Sequence, residues 1–370
     1  MKVRQKNKLN ISLVRIIAIF LVAWGHLVST ATWATDIYGV IAGTFSDHIL
    51  PSENHVLWKA ETLFYDYFHI QFAVVGVVIF FIISGYLLVL GQEKFQQRKI
   101  ISLEFIGSKI LRIYPALILC VVCNGVLVYF SQGIRFLPQE YLATATLTFG
   151  FTHFSSTMGV LWYLQVLMCF YLVFAVIQRF DMGKVLVFYA FIVGVIFLGL
   201  KTQNFYILTA AWLFRYASVI LIGVIFGLCK DMPKKKCLLY TGSGVVLTHG
   251  VLRLYQELFG DESTYTNINT LLFAVLIVLG LMWFVNDNIK LYKPIETTIN
   301  FIASLSLEFY LLHVHFGLTT MYYLSKMELS PYLTLLGGVS VSIVVAWVVH
   351  ITVNFCIINF KKSFAKGDSI

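Results

Sequence analysis

An all-α polytopic membrane protein is the fold class this sequence predicts, and three observations carry the expectation. Hydrophobic residues make up 59% of the 370 and charged residues only 12%, with a mean hydropathy of +0.83, far from the composition of a soluble domain. About ten apolar runs are long enough to cross a hydrocarbon core of about 30 Å. Lys and Arg gather in alternate connections between those runs, as they do when one side of a membrane protein faces the cytoplasm.

In chain order the spans fall near residues 11–28, 70–90, 111–130, 159–178, 185–200, 206–228, 237–255, 268–286, 298–320 and 333–359. With the N terminus inside, the inner connections hold 20 basic residues, among them Lys2, Arg4, Lys94, Arg98, Lys109, Arg112, Lys234, Lys235 and Lys236. The outer ones hold only Lys59, Arg135, Lys201 and Lys326, while Arg15, Arg215 and Arg253 fall within spans. Both termini are therefore expected to be cytoplasmic. The formal charge of +9 reads as a topology signal, not as a nucleic-acid surface.

The run YLATATLTFGFTHF is apolar enough to suggest an eleventh span, but that would invert every later connection. A re-entrant or surface-lying segment near 141–158 is expected instead, lining a cavity if it dips inward, since non-helical backbone at membrane depth needs protein or a wet cavity around it. The N terminus has the outline of a signal peptide, yet Arg15 and His26 inside the apolar stretch argue for a retained first helix. The cysteines imply no disulfide framework, and Cys120-x-x-Cys123, inside an apolar helix, reads as packing. No loop accommodates a soluble domain, so residues 1–370 are expected to form a single integral membrane domain. The longest loop, about 29–69, is outer and carries Asp36, Asp47, His48, Glu53, His55, Glu61, Asp66 and His69, a candidate cover for an acceptor site.

The chemistry concentrates on ionisable residues inside spans, which are expensive and by default functional. Arg15 and His26 interrupt ISLVRIIAIFLVAWGHLV. Eleven helical residues return the two to within about 20° of one face, roughly 16 Å apart along the axis. Histidine is the usual general base near neutral pH, although a hydrogen bond to a neighbouring helix and a snorkelling arginine would also account for the pair. In SLSLEFYLLHVHF, Glu308 and His315 share a face and His313 points about 140° from Glu308. A catalytic role and a buried carboxylate satisfied by a histidine or arginine stand about even, and His315 is expected to be interfacial. Lys109 and Arg112 lie three apart on one helix face, able to meet phosphate oxygens. Small residues Ser84 and Gly85 within a bulky run would admit a helix or a thin ligand arm against the backbone, and Gly223-x-x-x-Gly227 would pack helices closely. No metal-ligand spacing, phosphate-cradling glycine loop or nucleophile elbow occurs.

Taken in order, these segments resemble the membrane-bound acyltransferase family 3, which includes bacterial O-acetyltransferases of polysaccharides and lipid-linked sugars. The resemblance runs through Arg15 and His26, IFFIISGYLL at 79–88, KILRIYPAL at 109–117, LWYLQVLMCFYLV at 161–173 and SLEFYLLHVHF at 306–316. It departs where Lys109 stands for the first of two arginines and where Gln165 lies in a segment that is acidic in many relatives, so no carboxylate role transfers there. The resemblance implies acetyl-CoA as cytoplasmic donor, a saccharide hydroxyl as acceptor, no metal, and a place in the bacterial cytoplasmic membrane, with polysaccharide-assembly proteins as possible partners. It implies His26 as general base, Glu308 or His313 orienting it or the sugar, and Arg15, Lys109 and Arg112 on the donor phosphates, with Ser84 and Gly85 beside the pantetheine arm. The competing classes are a transporter or flippase using His26, Glu308 and His313 as a proton relay, and a non-catalytic component of a polysaccharide machine.

Overall fold

The computed structural model describes residues 2–29, 56–97, 102–152, 154–260, 267–288 and 292–367, and among these no strand occurs. Thirteen α-helices follow one another: α1 (Lys2–Trp24), α2 (Val56–Phe68), α3 (Phe72–Gln97), α4 (Ser102–Gln132), α5 (Pro138–Ala145), α6 (Trp162–Ile177), α7 (Met182–Thr202), α8 (Phe205–Cys229), α9 (Lys234–Phe259), α10 (Ile268–Asn288), α11 (Lys293–Ser304), α12 (Ser306–Ser325) and α13 (Pro331–Gly367).

Each of the ten expected spans has a counterpart. Among the described residues eight helices are long and apolar enough to cross a membrane, α11 and α12 pass the same test only as a pair bent by 64°, the geometry of a broken span or a re-entrant loop, and Ile268–Trp283 is a shorter apolar helix. Their outer faces leave Phe130, Val176, Val187, Leu276, Leu336 and Phe355 exposed. A soluble surface would not tolerate so much apolar area, whereas hydrocarbon favours it.

The centre of the bundle is α3 and α8, which approach backbone to backbone because glycines meet there. A Cβ on Gly85 would run into the backbone of Ile220 and Val224, and one on Gly223 into that of Ile82. Gly227 abuts Val89, so the expected close-packing face of α8 is present. On its other side α3 receives α1, where Gly76 faces Ala18 and Val22 and Gly25 faces Ala73. Small residues let dispersion contacts replace the hydrophobic drive that lipid removes. Polar ties then fix α1 laterally: Asn10 donates to the Met282 carbonyl at 3.4 Å, and Ser12 to Asn300 at 2.7 Å.

The stretch before α6 is no span. Helix α5 has 8 residues, about 12 Å of rise, and is followed by 3-10 turns at Phe149–Phe151 and Gly159–Leu161. The segment packs onto the bundle: the Thr157 amide donates to Thr144 Oγ1 at 2.9 Å, Met158 is fully buried, and the Tyr310 hydroxyl donates to the Val160 carbonyl at 2.6 Å.

Candidate active site

The first span does not stay α-helical to its end. At Gly25–Ser29 it widens into a π-helical turn, a feature that recurs at functional sites. His26 sits in this turn, with α2, α3 and α12 packed against it. Helix α2 is the described part of the long loop expected to cover the site; Asp66 and His69 are exposed near its end. Asp36, Asp47, His48, Glu53 and His55 lie outside the described residues, as does the side chain of Glu61.

His26 meets His313 of α12, Nδ1 to Nε2, at 2.9 Å. His313 is fully buried, and its Nδ1 lies 2.8 Å from the Tyr310 carbonyl and 3.1 Å from that of Phe309. Carbonyl oxygens only accept, so the proton of neutral His313 is on Nδ1 and its Nε2 carries a lone pair. It follows that His26 donates its Nδ1–H to His313, which leaves His26 Nε2 as the basic atom. A histidine held by two backbone carbonyls thus sets the tautomer of a second.

Glu308 is not part of this pair. Its Oε1 lies 2.9 Å from Nδ1 of His350 on α13, and with a side-chain exposure of 6% it ties α12 to α13. His350 escaped the sequence reading, although an ionisable residue within an apolar run was the signal that marked Arg15 and His26. His315, expected to be interfacial, is instead buried at 5% exposure, with no hydrogen-bond partner for either ring nitrogen among the described residues. The 200° between it and His313 on α12 separates the two rings.

Arg15 lies eleven residues before His26, towards the start of α1, and opens on a cavity of about 110 Å³ between α1, α3, α4, α6 and α12. Lys109 and Arg112 line the same cavity from α4, and Ser84 lines it from α3. Phe105 and Tyr171 support Lys109, whose ammonium lies 5.1 and 4.7 Å from their ring centres, a cation–π arrangement. Among the 16 lining residues there are three cations and no carboxylate, so the field inside favours an anion. Gly85 does not line the cavity: it faces the opposite way, into the backbone of α8. The small residue that meets the open space is Ser84, whose Oγ bonds the Phe80 carbonyl at 2.8 Å and lies 3.4 Å from the Tyr163 hydroxyl.

Tyr310 joins the two halves of the site. It lines the cavity, and one helical turn further on stands His313, with ring centres 6.0 Å apart. A helical bundle with this apolar exterior is a multi-pass membrane protein, and its cavity, lined by three cations, lies beside a buried histidine pair. A family model described as an acyltransferase domain matches residues 8–351, nearly the whole chain, and the chain belongs to that family, acyltransferase family 3. No curated protein and no solved structure matches it.

Proposed function

We propose that this acyltransferase moves an acetyl group from acetyl-CoA to a hydroxyl of a cell-surface or lipid-linked saccharide in the bacterial cytoplasmic membrane, with His26 as general base. The observation that carries this reading is the cavity, lined by three cations and no carboxylate, together with the histidine pair that stands one helical turn beyond Tyr310 of its wall. Arg15, Lys109 and Arg112 suit the phosphates and diphosphate of CoA, Arg through its fork and Lys as a point charge. Ser84, Leu87 and Leu88 give the pantetheine arm a narrow and mainly apolar wall.

His26 Nε2 accepts the proton of the acceptor hydroxyl as its oxygen attacks the thioester carbonyl. The imidazolium that results is held by the Nδ1–H to His313 Nε2. When the tetrahedral intermediate expels the CoA thiolate, His26 returns the proton to sulfur, so the reaction closes without net proton uptake. General base catalysis of this kind contributes about 10² to 10⁴ in rate.

The direct test compares the mass of surface polysaccharide from cells carrying the wild-type protein with that from cells carrying His26→Ala. The expected difference is one acetyl group per modified repeat, missing in the variant. Acetylation at the wild-type extent in His26→Ala would remove His26 as the base. Arg15→Ala is expected to weaken acetyl-CoA binding by at least tenfold, read by calorimetry on the purified protein, and unchanged affinity would take Arg15 out of the donor site.

A further inference from the structure

The cavity ends before it reaches the histidines. His26 and His313 are not among its lining residues, and a cluster of three aromatic rings on its wall reaches His313 through Tyr310. The centre of Phe80 is 6.0 Å from Tyr163 and 6.2 Å from Tyr310, and Tyr163 and Tyr310 are 5.4 Å apart. Rings at these separations are in packing contact. All three are buried, at 9%, 7% and 4% exposure, and all three line the cavity from its inside.

The rings are not equally fixed. The Tyr310 hydroxyl is anchored on the Val160 carbonyl at 2.6 Å, and its ring leans on His313. The Tyr163 hydroxyl has Ser84 Oγ at 3.4 Å. Phe80 has no hydroxyl to tether it, so it is the ring that yields when something longer presses on the cluster.

We propose that Phe80, Tyr163 and Tyr310 form the acyl-length gauge of this enzyme, admitting an acetyl group to the histidine pair and excluding longer acyl chains, with Phe80 setting the limit. The inference rests on the donor reading above. A CoA thioester whose phosphates lie on the cations brings its carbonyl to the ring cluster on the same cavity wall, and the acyl carbons beyond that carbonyl occupy the space the rings already fill. A methyl group needs little room there. Each added methylene has to displace Phe80 from a close-packed site, and packed protein interiors resist even one methylene.

The experiment is calorimetric titration of the purified full-length protein in lipid nanodiscs with CoA, acetyl-CoA and butyryl-CoA. Discrimination by one or two methylenes is worth about tenfold or more. The wild type is therefore expected to bind butyryl-CoA at least tenfold more weakly than acetyl-CoA. In Phe80→Ala that ratio is expected to fall to within about threefold, and in Phe80→Trp to rise further. Phe80→Leu is expected to give an intermediate ratio and serves if the alanine variant does not fold. A wild-type ratio near one, or a ratio unmoved by Phe80→Leu and Phe80→Ala, overturns the gauge while leaving the donor reading intact. Failure of the wild type to bind CoA and acetyl-CoA alike overturns both.

Discussion

In the proposed mechanism His313 acts through His26, which it meets at 2.9 Å, and that makes two substitutions diagnostic. His313→Leu removes the acceptor that fixes the His26 tautomer, whereas His313→Gln keeps an amide oxygen able to accept from Nδ1–H. We expect the leucine variant to lose about 10² in kcat with little change in the KM for acetyl-CoA. The glutamine variant should recover a measurable part of that loss, and equal kcat values for the two would show that the tautomer is set elsewhere. Glu308 gives a contrasting case, because its partner is His350 and not the pair His26 and His313. Glu308→Leu leaves His350 without its carboxylate and should destabilise the protein by about 3 kcal/mol, with the double variant Glu308→Leu, His350→Leu recovering most of the loss in a thermal unfolding measurement. Arg15 and His26 were legible in the sequence because hydrocarbon makes ionisable groups conspicuous. Their environment was less so. The contact of His26 with a residue 287 positions away depends on where α1 and α12 cross, and the π turn at Gly25–Ser29 breaks the uniform 100° step from which the shared stripe was computed.

At the scale of the helices, the spans themselves were readable from length and hydropathy, while the partner of each face was not. Gly85 shows why. A missing Cβ suits a ligand arm and a helix backbone equally, and the run IFFIISGYLL does not say which; the structure gives Ser84 to the cavity and Gly85 to α8. The same observation makes the glycines separable by experiment. A methyl group on Gly85 meets the backbone of Ile220 and Val224, neither of which can swing aside, while one on Gly242 of α9 meets nothing within 4 Å. Gly85→Ala should therefore cost about 1–3 kcal/mol through overpacking. Gly242→Ala should be neutral or stabilising by up to about 1 kcal/mol, through the helix preference of alanine alone. Thermal unfolding in one detergent reads both, and equal shifts would contradict the backbone contact between α3 and α8. The break at Leu305 between α11 and α12 is a further element that periodicity did not reveal. It leaves Ser306 and Leu307, at the start of α12, on the cavity wall.

For the molecule as a whole, the proposed reaction requires the cations of the cavity to face the compartment that holds acyl-CoA. The charge distribution of the sequence assigns that side: connections expected to be inner carry most of the Lys and Arg, those expected to be outer carry four, and retention of basic loops in the cytoplasm is the general rule. Helix α8 tests the assignment because exposed residues flank it, Gln203 before its start and Lys235 after its end. In a cysteine-free background, Gln203→Cys is expected to react with a membrane-impermeant maleimide added to intact spheroplasts, and Lys235→Cys only after the membrane is opened. The reverse pattern would put Arg15, Lys109 and Arg112 at the outer surface, where a cytoplasmic CoA thioester cannot reach them, and the donor would then have to be a different anion. With the expected pattern, donor and acceptor approach the histidine pair from opposite sides of the membrane. The donor would then span the stretch from Arg15 to His26 inside the protein, about 16 Å of helix and roughly half of a hydrocarbon core of about 30 Å.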